Sequence, residues 1–183
     1  MKELSLNILD ITENSVKAGA TLTKILLEET DDKLTVIIAD NGCGMSEETV
    51  KRVTDPFYTT RTTRKVGLGI PFYKLSAEQT GGSFKIESKH EKEYPLEHGT
   101  VVTAVYNKNH IDFTPLGDIV ATITTLIQGH PDTDFLFRHT KSGKTAELDT
   151  RQLREVLGEE VSLSEYEVIK WIEEFLKEQY INP

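Results

Sequence analysis

The residues of this sequence best suited to chemistry fall in its first hundred positions, in four short runs. The first is Asp10-Ile11-Thr12-Glu13-Asn14-Ser15-Val16-Lys17. On a helix it places Asp10, Asn14 and Lys17 on one face, because positions three and four apart are neighbours. The Asn14 amide oxygen is a neutral ligand for Mg²⁺, an ion that completes its shell with phosphate and water. Lys17 can then meet phosphate oxygens. A solvated helix face would satisfy the same Asn/Lys pair. The second run, Asp40-Asn41-Gly42-Cys43-Gly44-Met45, follows a string of aliphatic residues. A carboxylate at a strand end can accept from the amino group of adenine, which guanine lacks. Gly42 and Gly44 let the backbone pass close to a purine in conformations that a side chain forbids. An ordinary Asp-Asn-Gly turn is the alternative.

The third run is Asp55-Pro56-Phe57-Tyr58-Thr59-Thr60-Arg61, within a stretch, 54–66, poor in aliphatic residues. Phe57 and Tyr58 could anchor a loop whose Thr59, Thr60, Arg61 and Arg64 donate to phosphate. Loops of this kind order on binding; a flexible surface loop with an apolar anchor would read the same. The fourth, Gly67-Leu68-Gly69-Ile70, opens a helix, where free backbone N–H groups favour anions.

In this order and spacing the four runs resemble the N, G1, F and G2 boxes of the GHKL, or Bergerat-fold, ATPases. That superfamily includes gyrase B, MutL, sensor histidine kinases and anti-sigma-factor serine kinases. The resemblance covers roughly residues 1–108. In size and layout it is nearest to stand-alone ATP-binding domains of the sensor-kinase and anti-sigma-kinase type. It implies ATP and Mg²⁺ as cofactors. Asn14 would be the metal residue and Lys17 its phosphate-facing companion. Asp40, Gly42, Gly44, Met45 and Thr100 would form the adenine pocket. Phe57, Thr59, Thr60 and Arg61 would lie in the ATP lid, and Gly67, Leu68, Gly69 and Ile70 at the phosphates. Lys65 stands where the family often has a third glycine.

Asp10 departs from the pattern. The gyrase and MutL branch carries a Glu there as general base on water, and anti-sigma kinases carry a Glu acting on a hydroxyl. Sensor kinases usually have no carboxylate at this place. Asp10 has the chemistry with one methylene fewer, so its reach is about an ångström shorter. We read it as the catalytic base or water-orienting group; a carboxylate of the Mg²⁺ shell or a helix cap is the alternative.

These residues need elements to hold them. Leu4, Leu6, Ile8, Leu9, Ile11 and Val16 predict a helix ending near Ala18-Gly19. Strands are expected over 23–29 and 34–39, turning at Asp31-Asp32. A short helix capped by Ser46 runs to about Val53. Another spans 69–79 and stops at Gly81-Gly82. Strands follow over 83–88 and 100–107. The implied fold is an α/β two-layer sandwich with a mixed sheet and helices on one face. A small acidic α+β unit, 109–183, is expected after this ATP-binding domain, 1–108. In it we expect a helix over 116–128, a hairpin around Lys141-Ser142-Gly143, a helix capped by Asp149 or Thr150, and a last helix capped by Ser162 or Ser164. That last helix carries an apolar stripe of Val168, Ile169, Ile172, Phe175 and Leu176. Trp171 and Phe175 read as core.

Composition narrows the classes. The 183 residues are 37% hydrophobic and 28% charged, with a net charge of −9. Residues 111–183 hold 14 Asp/Glu against 7 Lys/Arg, which disfavours nucleic acid as a partner. No run nears the roughly 20 apolar residues of a membrane span, and the opening residues lack a signal peptide's apolar core. A single cysteine, Cys43, excludes an intramolecular disulfide. It is expected to pack inertly beside the adenine pocket. These features point to the cytoplasm. His90, His98, His110, His130 and His139 share no metal spacing and read as surface or packing residues.

Nine residues precede Asp10, which leaves no room for a phosphoacceptor-histidine helix ahead of it. The leading expectation is therefore an ATPase or protein kinase passing the γ-phosphate to water or to a separate phosphoacceptor protein. A non-catalytic nucleotide sensor that presents the acidic segment to a protein partner is the alternative. Either is compatible with a homodimer.

Overall fold

A computed structural model describes residues 3–55 and 69–181. In chain order the elements are α1 (Leu4–Lys17), β1 (Leu22–Glu29), β2 (Lys33–Asp40), α2 (Glu47–Val53), α3 (Gly69–Glu78), β3 (Ser83–Lys89), β4 (Gly99–Asn107), α4 (Ile119–Gly129), β5 (Asp134–Lys141), β6 (Lys144–Asp149), α5 (Thr150–Leu157) and α6 (Tyr166–Ile181).

The six strands form one mixed sheet in the order β3-β4-β2-β1-β5-β6. All pairings are antiparallel except β1 with β5, which run parallel from Leu22↔Asp134 to Glu29↔Lys141. The alternation along the central strands explains the layering. Thr23, Ile25 and Leu27 of β1 and Leu34, Val36 and Ile38 of β2 are buried, and their neighbours in sequence are not. A period of two puts the buried set on one face. Over that face lie α3, α1, α4 and α6, each touching the next. Ile8 and Ile11 of α1, Ile123 and Ile127 of α4, and Ile172 and Leu176 of α6 join the strand residues in one hydrophobic core. The expected sandwich with a mixed sheet and one helical face is the fold observed. Residues beyond 109 add β5 and β6 to the same sheet and α4 and α6 to the same layer.

Helix ends follow local chemistry. Ser46 caps α2 through Thr49 N, and Asp149 caps α5 through Arg151 N. Helix α1 has no side-chain cap; Leu4 N and Ser5 N instead donate to Pro115 O and Leu116 O, at 3.0 and 2.8 Å. These bonds satisfy donors that a helix start leaves free. Helix α4 begins at Ile119, three residues later than expected. Gly117 has a φ of +77°, and Asp118 caps Ala121 N, so Leu116 belongs to the preceding loop. Trp171 is not core: it is 47% exposed and stacks on Phe175 at 4.8 Å. Val168, Ile172 and Leu176 face inward, four residues apart, and leave Trp171 on the shoulder of the stripe.

Candidate nucleotide site

The end of β2 meets α1 at a carboxylate with unusually complete partners. Ser15 Oγ donates to Asp40 Oδ2 at 2.7 Å. Gly42 N and Thr100 N both donate to Asp40 Oδ1, at 2.9 and 3.3 Å. An ionised carboxylate has about four acceptor sites, so one on Oδ2 stays available. Asn41 turns the other way: its Oδ1 accepts from Thr21 N and Leu22 N, tying the loop to the start of β1.

The glycines are there because the backbone is crowded. A Cβ at Gly44, whose φ is +67°, would lie 1.9 Å from Lys89 O. One at Gly42 would lie 2.9 Å from Ala18 Cβ. Cys43 N donates to Ala18 O and Glu91 N to Cys43 O, both at 2.9 Å, so the loop is stitched on both sides. His98 Nδ1 lies 2.6 Å from Gly42 O; a carbonyl only accepts, so the imidazole donates. Ser88 Oγ accepts from Met45 N at 2.7 Å and sits 2.8 Å from Thr100 Oγ1.

Beside Asp40 lies a cavity of about 240 Å³. Of the residues singled out in the sequence, Asn14, Asp40, Gly44, Met45, Ile70 and Thr100 line it, and Cys43 is in its wall. Gly42 is buried and is not in the lining. Asp10, Lys17 and Gly69 are not in the lining. Asp10 is exposed one turn back along α1, its Cβ 3.7 Å from where a Cβ would stand at Gly69. Lys17 is exposed in the last turn of α1. Phe57, Thr59, Thr60, Arg61, Gly67 and Leu68, with Tyr58, Arg64 and Lys65, lie outside the described residues. Among the described residues, no group of three or more His, Cys, Asp or Glu could hold a metal by itself.

Three contributors escaped the sequence reading. Ser15 is the partner of Asp40, and Ile11, Ser15 and Ala18 share a cavity-facing side of α1 at spacings of four and three. That periodicity was a usable signal. Ser88 and His98 had none, because their roles depend on the pairing of β3 with β4.

The histidines divide by environment. His130 Nε2 lies 2.7 Å from Glu13 Oε1, joining α1 to the end of α4. His139 is buried, with Nδ1 2.8 Å from Tyr180 Oη and Nε2 3.1 Å from Glu29 Oε2.

The family model for histidine kinase-, DNA gyrase B-, and HSP90-like ATPases matches residues 2–110. The chain belongs to this family. Among its relatives is sporulation kinase D of Bacillus subtilis (strain 168), 33% identical over 103 residues, which are 56% of this chain and 19% of that protein. Sporulation kinase E of the same organism is 29% identical over 92 residues, 50% of this chain and 12% of that protein. The chain thus spans less than a fifth of the length of these two kinases. Among solved structures, the Aquifex aeolicus MutL ATPase domain complexed with ADP is similar, with a TM-score of 0.57 and 15% identity. That match covers 86% of this chain and 69% of the other, so the likeness of fold extends well past residue 110. Among the described residues no helix is long and apolar enough to cross a membrane.

Proposed function

We propose that this member of the histidine kinase- and gyrase B-like ATPases binds Mg·ATP beside Asp40 and directs the γ-phosphate to an acceptor. The observation that carries this reading is the bonding of Asp40. Three donors hold the carboxylate still, and its remaining acceptor site suits an amino group. Adenine offers such a group where guanine has a carbonyl. The cavity, smaller than the roughly 300–1,000 Å³ that holds a whole drug-sized ligand, has room for a base. Ribose and phosphates would then extend past Asn14 towards α3 and the 54–66 lid.

Asn14 lines the cavity and supplies one neutral oxygen, which suits an ion that takes its other ligands from phosphate and water. Mg²⁺ bound there would neutralise charge on the phosphates. Gly69 and Ile70 begin α3, whose first N–H groups favour anions. Phe57, Thr59, Thr60, Arg61, Gly67 and Leu68 would close over the phosphates, and Lys17 would approach them from α1. Asp10, beside Gly69, would take the proton from an attacking water or hydroxyl. The new bond forms at the γ-phosphorus, the bond to the β–γ bridging oxygen breaks, and ADP leaves. The acceptor is water or a phosphoacceptor protein; the kinase relatives favour a protein.

The test is turnover of γ-labelled Mg·ATP, following free phosphate and protein-bound label in wild type, Asp10→Asn and Asp40→Asn. The expected result is phosphate release that falls about a hundredfold in Asp10→Asn, and nucleotide affinity that falls about tenfold or more in Asp40→Asn. Binding indifferent to Asp40→Asn would overturn the site. Binding without release or label would favour a nucleotide sensor, a reading supported by the exposed position of Asp10 outside the cavity lining.

A further inference from the structure

At the other end of the sheet from Asp40 lies a cleft of about 590 Å³ between the start of α4, the end of β5 and the last turn of α6. The two ends are well separated. Thr23 pairs with Asp40 and Glu29 with Leu34, six residues apart along β1, which is about 20 Å. The volume falls in the usual range for small-ligand sites, which are apolar with a few convergent polar groups. Leu34, Leu116 and Val120 supply the apolar side, and Lys141 and Tyr180 stand at the polar end. One wall is the 115–118 loop. It is held by the bonds from Leu4 N and Ser5 N and by Asp118 N donating to Glu3 Oε2 at 3.3 Å, so the cleft is preformed.

The polar end is a directed chain. Glu29 Oε2 can only accept, so His139 Nε2 carries the hydrogen between them. His139 Nδ1 then accepts from Tyr180 Oη, whose own lone pairs are left. Burial pushes the His139 pKa down and the Tyr180 pKa up, so this arrangement of protons holds at neutral pH. Glu29 Oε1 takes both Lys108 Nζ at 2.8 Å and Lys141 Nζ at 3.1 Å. Two ammonium groups therefore face one carboxylate. Lys141, with its side chain 60% exposed, keeps donors for another partner. Lys177 at the rim is paired with Glu173, and Asp118 is occupied capping α4. The Glu29, Lys108 and Lys141 group by itself carries one positive charge, while Asp118 elsewhere in the lining carries a negative one, so Lys141 is a local anchor for an anion and not part of a net positive field.

We propose that this cleft binds a small amphipathic anion, with its apolar body against Leu34, Leu116 and Val120 and its carboxylate or sulfonate on Lys141. The ligand's polar edge donates to the free lone pairs of Tyr180 Oη. The site does not depend on the nucleotide reading. A largely buried Glu29–His139 pair with Lys108 on the same carboxylate is a costly way to stabilise a fold, since desolvating charges offsets most of their attraction. An anion that meets the exposed Lys141 ammonium gives the arrangement a purpose.

The probe is 8-anilinonaphthalene-1-sulfonate, titrated by fluorescence into the full chain under native conditions. Saturable one-to-one binding is expected. The uncharged analogue N-phenyl-1-naphthylamine should bind about fivefold more weakly, and Lys141→Met should weaken the sulfonate by about the same factor. Leu116→Trp, which fills the cleft, should abolish binding, and Asp40→Asn, in the distant cavity, should leave it unchanged. Each variant is compared only where its melting temperature stays near wild type. Lys141→Met is on the surface and keeps Lys108 on Glu29, so it remains informative if Leu116→Trp fails to fold. Absence of saturable binding, or binding indifferent to Lys141→Met, would overturn the proposal. Binding altered by Asp40→Asn would place the probe in the other cavity and overturn it equally.

Discussion

Ser15 and Asp40, 25 residues apart in sequence, share a 2.7 Å hydrogen bond that joins α1 to the end of β2. It fixes which face of the carboxylate is spent inside the protein and which is left for a ligand. Ser15→Ala should leave the fold intact and lower Mg·ATP affinity about three- to tenfold, the usual net worth of one hydrogen bond. Isothermal titration beside a melting curve checks both halves. A large loss of stability with unchanged affinity would assign Ser15 to folding alone.

Two glycines with nearly the same backbone should respond differently to alanine. Gly44 and Gly81 have φ of +67° and +72°. A Cβ at Gly81 meets nothing within 4 Å, whereas one at Gly44 would strike Lys89 O. Gly81→Ala should cost only the left-handed penalty, about 1–2 kcal/mol. Gly44→Ala should cost about 3 kcal/mol or more, because a main chain must also move. Urea unfolding of the two variants measures the difference.

Stability should fall on mild acidification, and His139 should be a cause. Burial holds its pKa below the ordinary value, against the opposing pull of Glu29. Between that lowered value and about 6.5 the unfolded chain binds a proton that the folded chain refuses, so acid favours unfolding there. Burial alone would raise Glu29, but Lys108 and Lys141 outweigh it and hold the carboxyl low, which adds a further loss at more acid pH. His139→Gln should flatten the dependence of urea midpoint on pH between about 7 and 5. An unchanged slope would mean that other groups dominate.

Two buried threonines, Thr23 in β1 and Thr150 at the start of α5, should have opposite responses to valine. Thr23 is fully buried and its Oγ1 has no partner. Thr23→Val should be neutral or stabilising by up to about 1 kcal/mol. Thr150 Oγ1 accepts from Phe135 N at 2.8 Å and donates to Asp134 Oδ1 at 2.9 Å. Thr150→Val should cost about 1–3 kcal/mol, because Phe135 N is left buried and unbonded. Denaturant titration distinguishes them.

Much of this was legible in the sequence where local chemistry sets the outcome. The alternation in 22–40 and the Ser46 and Asp149 caps concern neighbours in the chain, and the elements follow. The start of α4 was misplaced because Leu116 looked like part of an apolar helix, while Gly117 and Asp118 set the boundary. Trp171 was misplaced because hydrophobicity alone does not say which edge of a stripe faces in. The pairing of β1 with β5 crosses more than a hundred residues, and no local pattern encodes it. Ser88 and the Glu29–His139–Tyr180 chain were hidden for the same reason.

That long-range pairing bears on how the chain can be cut. Residues 2–110, the part the family model matches, contain β1 but not β5. A fragment ending there would leave Leu22–Glu29 at the border of the sheet, with a row of N–H and C=O groups open to any passing strand. The core would lose Ile123 and Ile127 of α4 as well. Such a fragment would be prone to add to its own copies and aggregate. The final seventy residues therefore move the border of the sheet from the long, core-lining β1 out to the shorter β6.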